Sequence, residues 1–191
     1  FLVLDSDEIN AFAAPGGLVL VTRGMVRLCR TEDQLAAVLA HEIGHVQHRH
    51  GVKSIGRSRI TTALTVAAVE AGRHLGGKEL AEAVNAFNGA INDVTQTLSV
   101  NGYSRGAERE ADLAAVAILQ RAGYEPRALA EMLEEMGRRL KPGGLDFAKT
   151  HPKPSDRLKN IRSAIEKAAP APAAPEARRK RFERATAGLG G

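Results

Sequence analysis

Two histidines four residues apart, His41 and His45, enclose Glu42 in the run His41-Glu42-Ile43-Gly44-His45. On an α-helix, residues four apart project from one face, so both imidazoles can reach one ion. Neutral imidazole nitrogen is a good ligand for Zn2+. Glu42 lies one step round the helix, beside that ion rather than on it. A carboxylate there can take a proton from a zinc-activated water, whose pKa falls towards ~7. The pattern predicts one Zn2+ per chain and hydrolysis with Glu42 as general base. Two surface histidines can share a helix by accident, so the reading depends on the helix and on further ligands.

A catalytic zinc needs a third protein ligand and an open position. His48 follows His45 closely, but one straight helix does not easily wrap three ligands around an ion. His48 also stands where the longer pattern H-E-x-x-H-x-x-G-x-x-H needs glycine. His48 and His50 therefore read as surface groups or as groups behind the ligands, and His74 has no partner in view. Glu108 is the better candidate. It shares a helical face with Asp112, four residues on, in Ser104-Arg105-Gly106-Ala107-Glu108-Arg109-Glu110-Ala111-Asp112. Glu108 can ligate from a second helix while Asp112 accepts a hydrogen bond from a ligand histidine, fixing its tautomer. Glu110 points elsewhere and reads as a solvated charge. Taken alone, the same run fits an ordinary acidic helix start.

The elements around these residues are mostly helical. Residues 31–50 read as a capped amphipathic helix. Thr31 caps it, Gln34 completes a capping box, and Glu32 and Asp33 suit its positive end. Leu35, Val38, Leu39, Ile43 and Val46 fall on one face, and Gly51 is the expected stop. Residues 104–122 form a second helix between Ser104 and Gly123, Pro126–Leu140 a third, and Ser155–Ala168 a last one capped by Ser155. Residues 56–100 read as two helices joined by a Gly-rich bend. Ahead of all these, Phe1–Leu4 and Leu18–Val21 read as short strands around the turn at Ala13-Ala14-Pro15-Gly16-Gly17.

With the pair His41–His45 and the run Glu108-x-x-Ala111-Asp112 in place, the chain resembles the gluzincins of metallopeptidase family forty-eight. These include HtpX-like and CAAX-prenyl-protease-like enzymes, and the soluble bacterial branch is the most similar. Asn10–Gly17, His41–Gly51 and Thr150–Arg157 carry the likeness further, which covers residues 1–165. The resemblance implies a zincin-like α+β fold, mainly α-helical: a small N-terminal sheet with an edge strand, then a helical bundle carrying the zinc site. It implies that His41, His45 and Glu108 bind zinc, that Glu42 is the base and that Asp112 stands behind the ligands. His151 and Arg157 would approach from the C-terminal segment to stabilise an oxyanion, or His151 could contact zinc in a resting state. The strand Leu18, Val19, Leu20, Val21 would be an edge on which an extended or unfolded polypeptide adds as a strand. Residues 52–103 would form a helical lid or hairpin over the site. The implied activity is that of an endopeptidase in envelope protein quality control, in a bacterial periplasm or at a membrane surface. A chaperone-like assembly factor with a shut zinc site is the alternative.

Composition bounds the remainder. Hydrophobic residues make up 43% of the 191, enough for a single core. The net charge is +5, yet the basic stretch Glu176–Arg184 carries +3 of it, so the body is near neutral and no nucleic-acid partner is expected. Residues 1–168 read as the metallopeptidase domain, and residues 169–191 as a Pro/Ala-rich and basic tail, a linker or disordered end. Cys29, the single cysteine, excludes an internal disulfide and reads as a small buried hydrophobe. Because Phe1–Leu4 already looks like a strand, the chain reads as truncated at its N-terminus, with membrane association through residues upstream.

Overall fold

The computed structural model describes residues 1–14, 16–55, 102–139, 151–171 and 176–189. The two helices expected within residues 56–100, and all but the ends of the expected lid, lie outside these residues. Three short strands open the fold: β1 (Leu2–Leu4), β2 (Ala11–Ala13) and β3 (Val19–Thr22). β3 is central, parallel to β1 and antiparallel to β2, with Phe12 opposite Leu20. The turn between β2 and β3 holds Gly16 and Gly17 at φ 93° and 89°, a left-handed conformation that favours glycine. Thr22 ends β3 and caps the next helix, α1 (Arg23–Leu28), its hydroxyl accepting from the Met25 amide at 3.1 Å. That helix was not anticipated, because six residues carry too little periodicity to read.

The helix carrying His41-Glu42-Ile43-Gly44-His45 is α2 (Glu32–Gln47). Thr31 caps it, accepting from the Gln34 amide at 3.2 Å. Gln34 reaches back one residue further than a capping box requires, accepting from the Arg30 amide at 2.8 Å. Gly51 is not the stop. The helix ends at His48, Arg49 turns the chain at φ 54°, and Gly51 lies inside the next helix, α3 (His50–Ile55). Three more helices follow closely where expected: α4 (Arg105–Ala122), α5 (Arg127–Arg139) and α6 (Pro154–Lys167). Ser104 and a left-handed Gly123 bound α4. In α6 the starting device is Pro154 in the first turn rather than a Ser155 side-chain cap.

α2 packs on α4, α5 and β2, while α6 packs on α4 and α5. Val38, Leu119, Leu129, Met132, Leu133 and Ile161 fill the space between these helices. Cys29 is buried beside Met132, and burial pushes its thiol up to about 12, which leaves it a hydrophobe. Among the described residues no helix is long and apolar enough to cross a membrane.

The tail is not a disordered end over residues 176–189. It forms α7 (Glu176–Thr186), stabilised internally by Lys180–Glu176 and Arg179–Glu183 pairs at 2.8 and 2.7 Å. Its cations face the acidic first turn of α2. Arg181 pairs with Glu32, and Arg178 reaches Asp33 at 3.4 Å while lying over the Tyr124 ring at 4.4 Å.

The contact between α2 and α4 positions the candidate site. A Cβ built on Gly44 would stand 2.8 Å from the Ala111 carbonyl oxygen and 3.0 Å from its Cα. Two backbones touch here, and neither can yield as a flexible side chain can. Gly44→Ala is therefore expected to cost about 1–3 kcal/mol by overpacking, measured by chemical denaturation. A variant as stable as the parent would contradict this packing.

Candidate metal centre

The α2–α4 contact sets His41 and His45 of α2 opposite Glu108 in the first turn of α4. His151, shortly before α6, completes a buried cluster of four donors. His41 Nε2 lies 3.1 Å from His45 Nε2, 3.4 Å from His151 Nδ1 and 3.6 Å from Glu108 Oε2. Glu108 Oε1 is 3.3 Å from His45 Nε2, and both Glu108 oxygens are 2.9 Å from His151 Nδ1. Ligands at bonds of about 2.0–2.1 Å around a tetrahedral ion stand about 3.3 Å apart. The donor set fits Zn2+ in type and in spacing.

Each α2 histidine is held through its outer nitrogen. His41 Nδ1 is 3.0 Å from Asp112 Oδ1. Asp112 in turn accepts from Arg157 through both oxygens, at 2.6 and 3.0 Å. His45 Nδ1 is 2.9 Å from His50 Nδ1, and His50 Nε2 is 3.1 Å from Glu110 Oε2. The Tyr103 ring stacks on His45 at 4.1 Å, and its hydroxyl donates to the Ala13 carbonyl at 3.2 Å.

Burial is the largest single influence on the ionisable groups of the site, though not always the deciding one. It pushes His45 down to about 3, so the ring is neutral and its lone pair is available. Burial alone would raise Glu108, but the imidazoles of His151, His45 and His41 outweigh it and hold the carboxyl well below its usual range. For Asp112 burial again acts upward, and the Arg157 guanidinium reverses it. Glu42 differs: it is fully buried and desolvation raises its pKa. Neither Glu42 oxygen has a hydrogen-bond partner among the described residues, and the closest imidazole nitrogen, His151 Nε2, is 3.9 Å away. A buried carboxylate in that condition is a strong proton acceptor.

His41, Glu42, His45, Glu108, Asp112, His151 and Arg157 thus come together. His151 lies within the donor set rather than at its margin. Arg157 arrives from the C-terminal segment; its guanidinium forks onto Asp112, and its Nη2 also lies 3.0 Å from His41 Nδ1. Leu18–Val21 is not at an edge: β3 pairs on both sides, because β1 and β2 both take it as partner. The strand against α2 with a side left unpaired by the described strands is β2, which contributes Ala13 and, beyond it, Ala14 to a cleft of ≈ 340 Å³ that His45, Val46 and Tyr103 also line. Glu110 is exposed, as a solvated charge would be, but also lies 3.1 Å from His50 Nε2; of the two places expected for His50, at the surface or behind the ligands, it takes the second, buried against His45. Tyr103 carried no sequence signal; His50 followed His45 by five residues, a spacing no helical face supports.

Removing Arg157 tests this scaffold. Arg157→Met leaves Asp112 buried without its guanidinium, at an expected cost of about 3–5 kcal/mol in urea unfolding. A loss below about 1 kcal/mol, no more than an exposed pair is worth, would contradict the fork.

The chain resembles known proteins over most of its length. The model of peptidase family M48 matches residues 1–165. The chain is 31% identical over 165 residues to the beta-barrel assembly-enhancing protease of Escherichia coli K12, covering 85% of this chain and 34% of that protein. It is 32% identical over 155 residues to the mitochondrial metalloendopeptidase OMA1 of Schizosaccharomyces pombe, covering 80% and 42%. It is 32% identical over 182 residues to a putative beta-barrel assembly-enhancing protease of Vibrio cholerae, covering 92% and 36%. The chain thus spans roughly a third to two fifths of the length of these curated relatives. The family match over both helices of the donor cluster, and over His151, leads to one conclusion: this chain belongs to peptidase family M48.

Proposed function

We propose that residues 1–168 form a zinc-dependent endopeptidase domain, with His41, His45 and Glu108 holding one Zn2+ and Glu42 acting as general base. The observation that carries the reading is the four-donor cluster at 2.9–3.6 Å beside a buried carboxylate with no hydrogen-bond partner among the described residues. Zn2+ bound there would lower the pKa of a water and polarise the scissile carbonyl. Glu42 takes the proton from the attacking water and passes it to the leaving amine nitrogen. Its raised pKa suits both halves of that task, since it binds the proton readily once charge builds beside it. Asp112 keeps the His41 proton on Nδ1, and Arg157 keeps Asp112 charged. With a metal bound, His151 would supply a fourth donor in a resting site. Moved aside, its ring donates to the oxyanion.

An extended polypeptide would pair with β2 rather than with Leu18–Val21, its side chains entering the cleft by Ala13 and Tyr103. The domain would serve envelope protein quality control, in a bacterial periplasm or at a membrane surface. The names of the beta-barrel assembly-enhancing relatives support that setting. One observation favours the second reading, an assembly factor with a shut site: His151 occupies the fourth donor position.

The test is metal analysis followed by casein cleavage. The parent is expected to hold one zinc per chain. Glu42→Gln should keep the zinc and lose at least about a hundredfold in rate. Glu108→Ala should lose most of its zinc affinity. Equal cleavage by parent and Glu42→Gln would remove the base; cleavage by neither, with zinc retained, would favour the assembly factor.

A further inference from the structure

We infer that His50 and Glu110 are positioning residues for the metal ligand His45, forming a proton-ordered chain that decides which nitrogen of His45 is free to bind. The inference rests on the zinc reading above and extends it to residues outside the donor set.

Backbone geometry shows why the contact is built rather than incidental. On a continuous helix residue 50 would lie about 140° round the axis from residue 45. α2 instead ends at His48, and Arg49 takes φ 54°, a conformation uncommon for any residue but glycine. The corner carries His50 back beneath His45, where it is 3% exposed. Its Nδ1 then stands 2.9 Å from His45 Nδ1 and its Nε2 3.1 Å from Glu110 Oε2.

Proton placement follows from these two contacts. A carboxylate only accepts, so the His50 proton belongs on Nε2, directed at Glu110. His50 Nδ1 is then a lone pair and accepts from His45 Nδ1–H. With its proton on Nδ1, His45 presents a lone pair at Nε2, the atom that faces His41 and Glu108. The opposite order would put the His45 proton on Nε2, where it blocks the metal. His41 is ordered by Asp112 directly, whereas His45 is ordered by Glu110 through an intervening imidazole.

The same residues, with His48, could instead be taken for a second metal site, since His48 Nδ1 lies 3.7 Å from Glu110 Oε2. The chain argues against it. A metal on His50 Nε2 would displace the proton there while Nδ1 still accepts from His45, leaving an imidazolate. Loading the first site therefore disfavours the second.

Zinc affinity, measured by competition with a chromogenic chelator, tests the inference without relying on activity. His50→Ala is expected to weaken zinc binding about 10–100-fold, and Glu110→Ala, at an exposed carboxylate, about tenfold. His50→Asn is expected to restore affinity to within about threefold of the parent, because Asn Oδ1 can stand where His50 Nδ1 stands and accept from His45. In the His50→Asn background, Glu110→Ala should have no further effect, which a merely structural role for Glu110 would not produce. Parental affinity in both alanine variants would overturn the inference, as would His50→Asn binding as weakly as His50→Ala. Two zinc ions per chain, one of them lost in Glu110→Ala, would also overturn it. A parent that binds no zinc would overturn this inference together with the zinc reading; a parent that binds zinc with unaffected variants overturns this inference alone.

Discussion

The site depends on one close approach, the Gly44 position of α2 against the backbone of Ala111 in α4. His41 and His45 lie on either side of Gly44, and Glu108 and Asp112 on either side of Ala111. Since side chains recur along a helix face every three to four residues, a single backbone contact sets both pairs in register. A larger residue at position 44 would push α4 outward and open the 3.3 Å contact of Glu108 with His45 and the 3.0 Å contact of Asp112 with His41 together. The small residues thus help set the geometry of the donor cluster, although they add no donor to it.

The same contact buries charge, and burial then sets the chemistry. Glu42, Glu108, Asp112 and Arg157 are all almost completely inaccessible. Isolated, each would resist ionisation. Asp112 stays ionised because Arg157 forks onto it, and Glu108 because imidazoles surround it. For Glu42, which has no hydrogen-bond partner among the described residues, desolvation prevails and its pKa moves upward. Adjacent carboxylates are thereby set apart: two are held charged by their partners, and the third is not. His151 belongs to this balance, because it leans on Glu108 and approaches Glu42.

Much of this was legible from local pattern. The α2 cap at Thr31, the α4 limits at Ser104 and Gly123, and the shared face of Glu108 and Asp112 all arise from interactions within a few residues. What was not legible depends on the path of the chain. Leu18–Val21 looks like any alternating strand, and nothing local reveals that both neighbours pair with it. The Arg49 corner was hidden because the apolar stripe of α2 favoured a helix running on to Gly51; with it went the burial of His50 and the partner of Glu110. The tail helix was missed because its stabilisation is polar. Its i,i+4 pairs and the acidic start of α2 replace the apolar face by which a helix is usually recognised.

The most direct test of the four-donor cluster is zinc K-edge X-ray absorption on the metal-loaded chain. The account predicts a four-coordinate nitrogen and oxygen shell at about 2.0–2.1 Å, with scattering from three imidazoles in the parent and two in His151→Ala. A six-oxygen shell, or imidazole scattering unchanged in His41→Ala and His45→Ala, would contradict it.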